Sequence, residues 1–116
     1  MENFKNYYKF PLHVDNGKYV RTIDNKTALV FTARLKNDVI QDIVDKLNGE
    51  CNKSSLPEWY IKNETEVWFN NTRIMFVKGW GMLRRKNRNG CYNLPEEEAI
   101  KIQDEFAKYV VNTLNS

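Results

Sequence analysis

The chemistry that enzymes need is scarce in this sequence. Its 116 residues include a single histidine, His13, and two cysteines, Cys51 and Cys91, which stand forty residues apart without a second cysteine near either. Nucleophilic catalysis would need one of these thiols beside His13, yet the alternation of residues 7–14 places His13 on the solvent side of a strand. The sequence therefore predicts no catalytic residue, and it predicts two free thiols in a reducing compartment.

Ligand spacings for metals and phosphates are missing as well. The chain has no His-x-x-x-His or Asp-x-Asp-x-Asp pattern, and the Gly-Trp-Gly at 79–81 lacks the spacing of a phosphate-binding loop. The three glutamates at 96–98 are consecutive in a predicted helix, so their carboxylates point in different directions and instead complement the helix dipole. We expect no metal ion and no cofactor.

Long apolar runs are also absent. The longest aliphatic or aromatic runs, 28–31 and 74–77, are four residues each, whereas a helix that spans a bilayer needs about 20. The chain begins without the apolar stretch of a secretory signal. We expect no membrane partner and a cytoplasmic location.

What the first half does contain is the pattern of three strands and a helix. Residues 7–14 alternate with period two, and Pro11 marks them as an edge strand or a bulge. A hairpin signal at 15–17 leads to strands at 18–24 and 27–34. The residues expected to face the core are Tyr8, Phe10, Leu12, Val14, Leu29, Phe31 and Ala33. An amphipathic helix then runs from an N-cap at Asn37 to Gly49, which suits the left-handed conformation after a helix.

The second half repeats this pattern. Strands are predicted at 59–61, 67–69 and 73–78, and a helix follows from Pro95 to the end. The sequence thus predicts an α+β fold in the order βββα-βββα, with five or six antiparallel strands and two helices on one face. We expect a single domain over 1–116. A duplication that relates 7–49 to 59–116 is one explanation of the repeated order, and chance similarity between amphipathic helices is the other.

Positive charge concentrates after the last strand. Residues 73–88 hold six cations and no carboxylate, although the whole chain carries only +3. Arginine binds phosphate through two parallel hydrogen bonds, and a tryptophan offers a face for stacking on a base. We call residues 79–88 the basic segment. The predicted ligand-binding residues are Lys78, Trp80, Arg84, Arg85, Lys86, Arg88 and Tyr92.

Two other interpretations of the basic segment stay open. In one, residues 84–88 are a solvated loop and Trp80 only closes the core. In the other, the cations meet an acidic protein surface on another protein, or the glutamates at 96–98 neutralise them within the same chain or across a dimer. A homo-oligomer is therefore among the predicted outcomes.

The second half also resembles a known group. Ile-Met-Phe-Val-Lys-Gly-Trp-Gly-Met-Leu at 74–83, Leu-Pro-Glu-Glu-Glu-Ala at 94–99 and Ile-Gln-Asp-Glu-Phe at 102–106 are similar to small uncharacterised proteins of gut Bacteroides-type bacteria and their phages. The resemblance covers about residues 74–115 and departs from that pattern at 84–88. It implies a phage or mobile-element protein in a bacterial host cell.

These observations together predict a non-enzymatic accessory binding protein. Its basic segment would engage an anionic partner, which is a nucleic acid, a nucleotide or an acidic protein surface. The alternatives are a structural or adaptor protein that self-associates through strand aromatics, and a small inhibitor of a host enzyme or defence system.

Overall fold

A computed structural model describes residues 3–49, 59–63, 65–78 and 94–115 of the chain. These ranges form a six-stranded antiparallel sheet and two α-helices, so the predicted α+β class and the βββα-βββα order are confirmed. The elements are a 3₁₀-helix at Asn3–Asn6, β1 at His13–Asp15, β2 at Tyr19–Arg21, β3 at Thr27–Phe31, α1 at Asn37–Leu47, β4 at Trp59–Lys62, β5 at Glu66–Phe69, β6 at Thr72–Val77 and α2 at Glu96–Leu114.

The strands lie in the order β1-β2-β3-β6-β5-β4. Each half of the chain forms a three-stranded meander, because the short turns between consecutive strands favour antiparallel pairing. The two meanders join where β3 pairs with β6, so Val30 lies directly opposite Phe76. The strand order is therefore symmetric: from either edge, the first, second and third strands of one half of the chain follow one another toward the centre of the sheet.

The core lies between one face of the sheet, the inner face, and the two helices. Val20, Leu29 and Val77 are cross-strand partners on this face, and all three are buried. The helices add to the same cluster the buried residues Ile40, Ile43, Val44, Leu47, Ala99, Ile102, Phe106, Ala107, Val110 and Leu114. Burial of each large apolar side chain stabilises the fold by about 1.5–3 kcal/mol.

The predicted strand at 7–14 is wrong in its backbone and right in its burial pattern. Tyr8 and Leu12 are buried while Pro11 is exposed, as alternation predicts, but the extended pairing covers only β1. Pro11 has no N–H to donate to a sheet ladder. The ring of Tyr8 instead stacks on that of Phe106, with centroids 4.0 Å apart, so tertiary packing replaces strand pairing here.

Asparagine and glycine adopt left-handed backbone conformations in the turns and after α1. Gly49 has φ 91°, which confirms the left-handed conformation after α1, whereas Asn37 is the first residue of α1 and Lys36 precedes it as N-cap. Strand connections contain four asparagines with positive φ, namely Asn16, Asn25, Asn63 and Asn70. Asparagine tolerates this region better than most residues because its short side chain bonds to the local backbone.

An asparagine at the end of each helix holds the strand segment beneath it. Asn48 accepts a hydrogen bond from the Leu12 N–H at 2.7 Å and donates one to the Leu12 carbonyl at 2.9 Å. Asn115 accepts from the Trp59 N–H at 3.0 Å and donates to the Trp59 carbonyl at 2.9 Å. These matched contacts favour the predicted duplication of 7–49 and 59–116, which stays a prediction.

Candidate functional site

The face of the sheet opposite the core, which we call the outer face, carries aromatic and charged side chains. Side chains alternate along a strand, and cross-strand partners share a face. One row of direct partners therefore runs across all six strands, and it comprises Asp15, Tyr19, Val30, Phe76, Glu66 and Lys62. Two of its members are aromatic: Phe76 lies on the central strand β6, and Tyr19 lies on β2, next to the edge strand β1.

Further residues flank this row on both sides. Tyr60, Trp68 and Arg73 form a second row, in which the rings of Tyr60 and Trp68 are 6.3 Å apart and inclined by 27°. On the opposite side lie Arg21 and Lys78, which follow the central row along β2 and β6. The Lys78 N–H donates to the Ala28 carbonyl at 2.7 Å, so the backbone of Lys78 is still hydrogen-bonded to β3.

Three outer-face rings have a cation over them. The ammonium of Lys62 lies 4.3 Å from the centroid of Trp68, and the guanidinium of Arg73 lies 4.6 Å from that of Phe76. Tyr19 has the guanidinium of Arg21 at 5.3 Å and the ammonium of Lys18 at 5.8 Å. Such contacts are attractive by about 0.5–1 kcal/mol at exposed sites. Apolar rings and long basic side chains thus share one surface.

The charges of the outer face do not cancel. Asp15 binds Arg21 at 2.7 Å, and Glu66 binds Arg73 at 3.5 Å. Lys18, Lys62 and Lys78 add three cations. Among the residues that the structure describes, five cations thus share the outer face with two carboxylates, an excess of three positive charges.

Glu66 is oriented by its neighbours on the outer face. The indole N–H of Trp68 donates to its carboxylate at 3.0 Å and lowers the pKa of that group, with smaller lowering effects from Asn63 and Arg73. Glu66 therefore stays ionised and holds both Trp68 and Arg73. The orientation of two site residues thus depends on one carboxylate.

Two side chains anchor the end of β6, where the basic segment begins. The hydroxyl of Tyr8 donates to the Lys78 carbonyl at 2.7 Å, and the Gln103 side chain donates to the Val77 carbonyl at 3.1 Å. Burial raises the pKa of Tyr8, so its phenol remains a neutral donor. Two side-chain hydrogen bonds thus hold the backbone immediately before the basic segment.

Of the predicted ligand-binding residues, Lys78 is described and exposed at the end of β6. The others, Trp80, Arg84, Arg85, Lys86, Arg88 and Tyr92, lie outside the described residues, as do Cys51 and Cys91. His13 is exposed on β1 opposite Arg21, which confirms its predicted place on the solvent side.

Sequence reasoning missed the outer face itself. Its site residues are Tyr19, Arg21, Tyr60, Lys62, Trp68, Arg73 and Phe76. The signal was available, because aromatic and basic residues alternate with aliphatic ones in these strands, as in Tyr19-Val20-Arg21 and Tyr60-Ile61-Lys62. Strand alternation assigns these side chains to one face only after the strands are placed in order.

Two further features are absent from the described part of the chain. None of the helices there is long and apolar enough to cross a membrane. Within the same residues, no group of three or more histidines, cysteines or carboxylates is placed to hold a metal ion. Comparison of the chain with protein-family models, curated proteins and solved structures finds no match.

Proposed function

We propose that this protein is a non-enzymatic accessory binding protein of the bacterial cytoplasm. Its anionic partner would be a nucleic acid, a nucleotide or an acidic protein surface, held by the outer face and the basic segment. The observation that carries the proposal is the excess of cations over carboxylates among the described residues of a sheet face that also presents aromatic rings. A surface of one charge attracts partners of the opposite charge and raises their association rate.

The position of Lys78 supports a joint role for the two parts. Lys78 directly follows the central strand β6, and Arg84 comes six residues later in the chain. Six residues of chain span at most about 20 Å, which is also about the width of the sheet from β2 to β4. At full extension the chain between Lys78 and Arg84 is therefore long enough for the basic segment to reach an anion on the outer face.

Retention on an immobilised sulfated polysaccharide, eluted with a salt gradient, tests the proposal. We expect the protein to stay bound at salt concentrations that screen the attraction of a single exposed charge, because several cations act together. The double variant Lys62→Gln/Lys78→Gln should elute earlier. Its matched control, Lys101→Gln/Lys108→Gln, removes the same charge from exposed positions on α2 and should elute like the parent protein. Elution of the parent in the void volume at low salt would refute the proposal.

Self-association is a second candidate function. Tyr60 is 39% exposed on the edge strand β4, and its ring lies next to that of Trp68. A second copy of the chain that covered these rings would bury them. Sedimentation equilibrium tests this candidate, since a mass of 13.8 kDa at every concentration would contradict it.

A further inference from the structure

We propose that the outer face is a stacking platform for single-stranded nucleic acid. Bases would stack on Tyr19, Phe76 and Trp68, while the neighbouring cations bind the phosphates. This inference rests on the proposed function and names the partner of that site. Four features carry it: the spacing of the rings, the cations that lie over them, the width of the sheet and the excess of cations over carboxylates among its described outer-face residues.

The rings are spaced for successive contacts. Tyr19 and Phe76 lie in one row with β3 between them, so their strands are about 10 Å apart. Trp68 lies one strand and two residues beyond Phe76 on β5, which corresponds to about 8 Å. A single strand that crosses the sheet meets each ring in turn. Stacking on aromatic side chains accepts every base because every base has a π-face.

The cations above the rings provide the second element of such a site. The head groups of Lys62 and Arg73 lie over Trp68 and Phe76 through flexible aliphatic stems. A base that stacks on a ring takes the place of the cation, which then reaches the adjoining phosphate without a change in the backbone. Arginine is suited to this exchange because its guanidinium binds phosphate in a bidentate manner.

The shape of the sheet favours a single strand over a duplex. The bases of a duplex are accessible only through its grooves, and the major groove is about 12 Å wide. The outer face from β2 to β4 crosses four strand spacings, which is about 19 Å. A surface of this width contacts duplex backbones but brings no ring to a base edge. The rings therefore contribute only when bases are unpaired.

Fluorescence anisotropy with a labelled single strand of DNA, the same sequence in RNA and the matching DNA duplex tests the inference. We expect tighter binding to a single strand, with a slope of log K against log salt of roughly −3.5 if all five outer-face cations contact phosphates. The variant Phe76→Leu should weaken binding by about 5-fold or more and leave the salt slope unchanged, because it removes a ring and no charge.

Phe10→Leu is the matched control. Phe10 is also half-buried with a cation, Lys5, 5.7 Å from its centroid, but it packs against Tyr109 of α2 on the helix side. This variant should bind like the parent protein. If Phe76→Leu fails to fold by circular dichroism, Tyr19→Leu replaces it, since Tyr19 lies on β2, farther from the centre of the sheet.

The outcomes separate this inference from the proposed function. Equal affinity for duplex and single strand, with no effect of Phe76→Leu, would overturn the stacking platform and leave a charge-based binding site. Retention on the polysaccharide without affinity for any nucleic acid would also overturn it and would favour an acidic protein partner. Failure to bind the polysaccharide and every nucleic acid would overturn both.

Discussion

The two asparagine contacts at the helix ends give the sharpest prediction for stability. Replacement of Asn48 by alanine removes two hydrogen bonds to the backbone of Leu12. Each contributes about 0.5–1.5 kcal/mol net, so the free energy of unfolding should fall by about 1–3 kcal/mol. For a domain of this size the melting temperature falls roughly 4 °C per kcal/mol. Asn115→Ala should give a similar loss through Trp59.

Urea denaturation followed by circular dichroism measures these losses. Asn112→Ala is the matched control, because Asn112 is exposed on α2 and alanine has the higher helix propensity by about 0.5 kcal/mol. This variant should be unchanged or slightly more stable. If Asn48→Ala and Asn115→Ala both behave like the control, the asparagines do not hold the strands to the helices. If only one of the two is destabilising, the halves are not equivalent in this respect.

Three further predictions concern single residues. Tyr8→Phe should lower the free energy of unfolding by about 1 kcal/mol, because it removes the bond to the Lys78 carbonyl. Because the pKa of Tyr8 is raised in the folded protein, its contribution to stability is fully present below the pKa of an unfolded tyrosine, near 10, and is lost as pH rises beyond it. Tyr8→Phe should therefore lose less stability than the parent protein at alkaline pH. Equal losses in the two proteins would be contrary evidence. The pKa of Glu66, measured by NMR, should lie below the ordinary value and rise in Trp68→Phe, since the indole is the main cause of its shift; no change would mean that the indole has no such role. Gly49→Ala should cost about 1–2 kcal/mol in urea denaturation, because φ is 91° and a side chain there meets no neighbour within 4 Å, so the whole cost is backbone strain; an unchanged midpoint would show that this strain is absent.

The sequence was sufficient to predict the order of elements because each one carries a local signal. Asparagine and glycine mark the turns, and apolar residues at helical spacing mark α1 and α2. The pairing of β3 with β6 has no such local signal, because the two strands are separated by a helix and two further strands along the chain. Their proximity depends on both helices packing against one face of the sheet.

The same limit explains why the outer face was missed. Tyr19 on β2 and Phe76 on β6 lie in one row only because β3 separates them in the sheet. The basic segment was visible because its charges are consecutive in the sequence. The strand at 7–14 fails for a related reason: its alternation reports burial correctly, but Tyr8 packs on Phe106 of α2 instead of entering a ladder. Alternation shows which side chains are buried and does not show what buries them.

The indole N–H signals of the tryptophans, followed by NMR during titration with single-stranded DNA, test the central claim most directly. Trp68 lies on the outer face, whereas Trp59 packs against the core beside Phe69. Assignments come from single Trp→Phe variants, and the signal of Trp80 reports separately on the basic segment. We expect the Trp68 signal to shift until saturation while the Trp59 signal stays in place. A saturated complex in which Trp68 has not moved would contradict the claim that the outer face holds the strand.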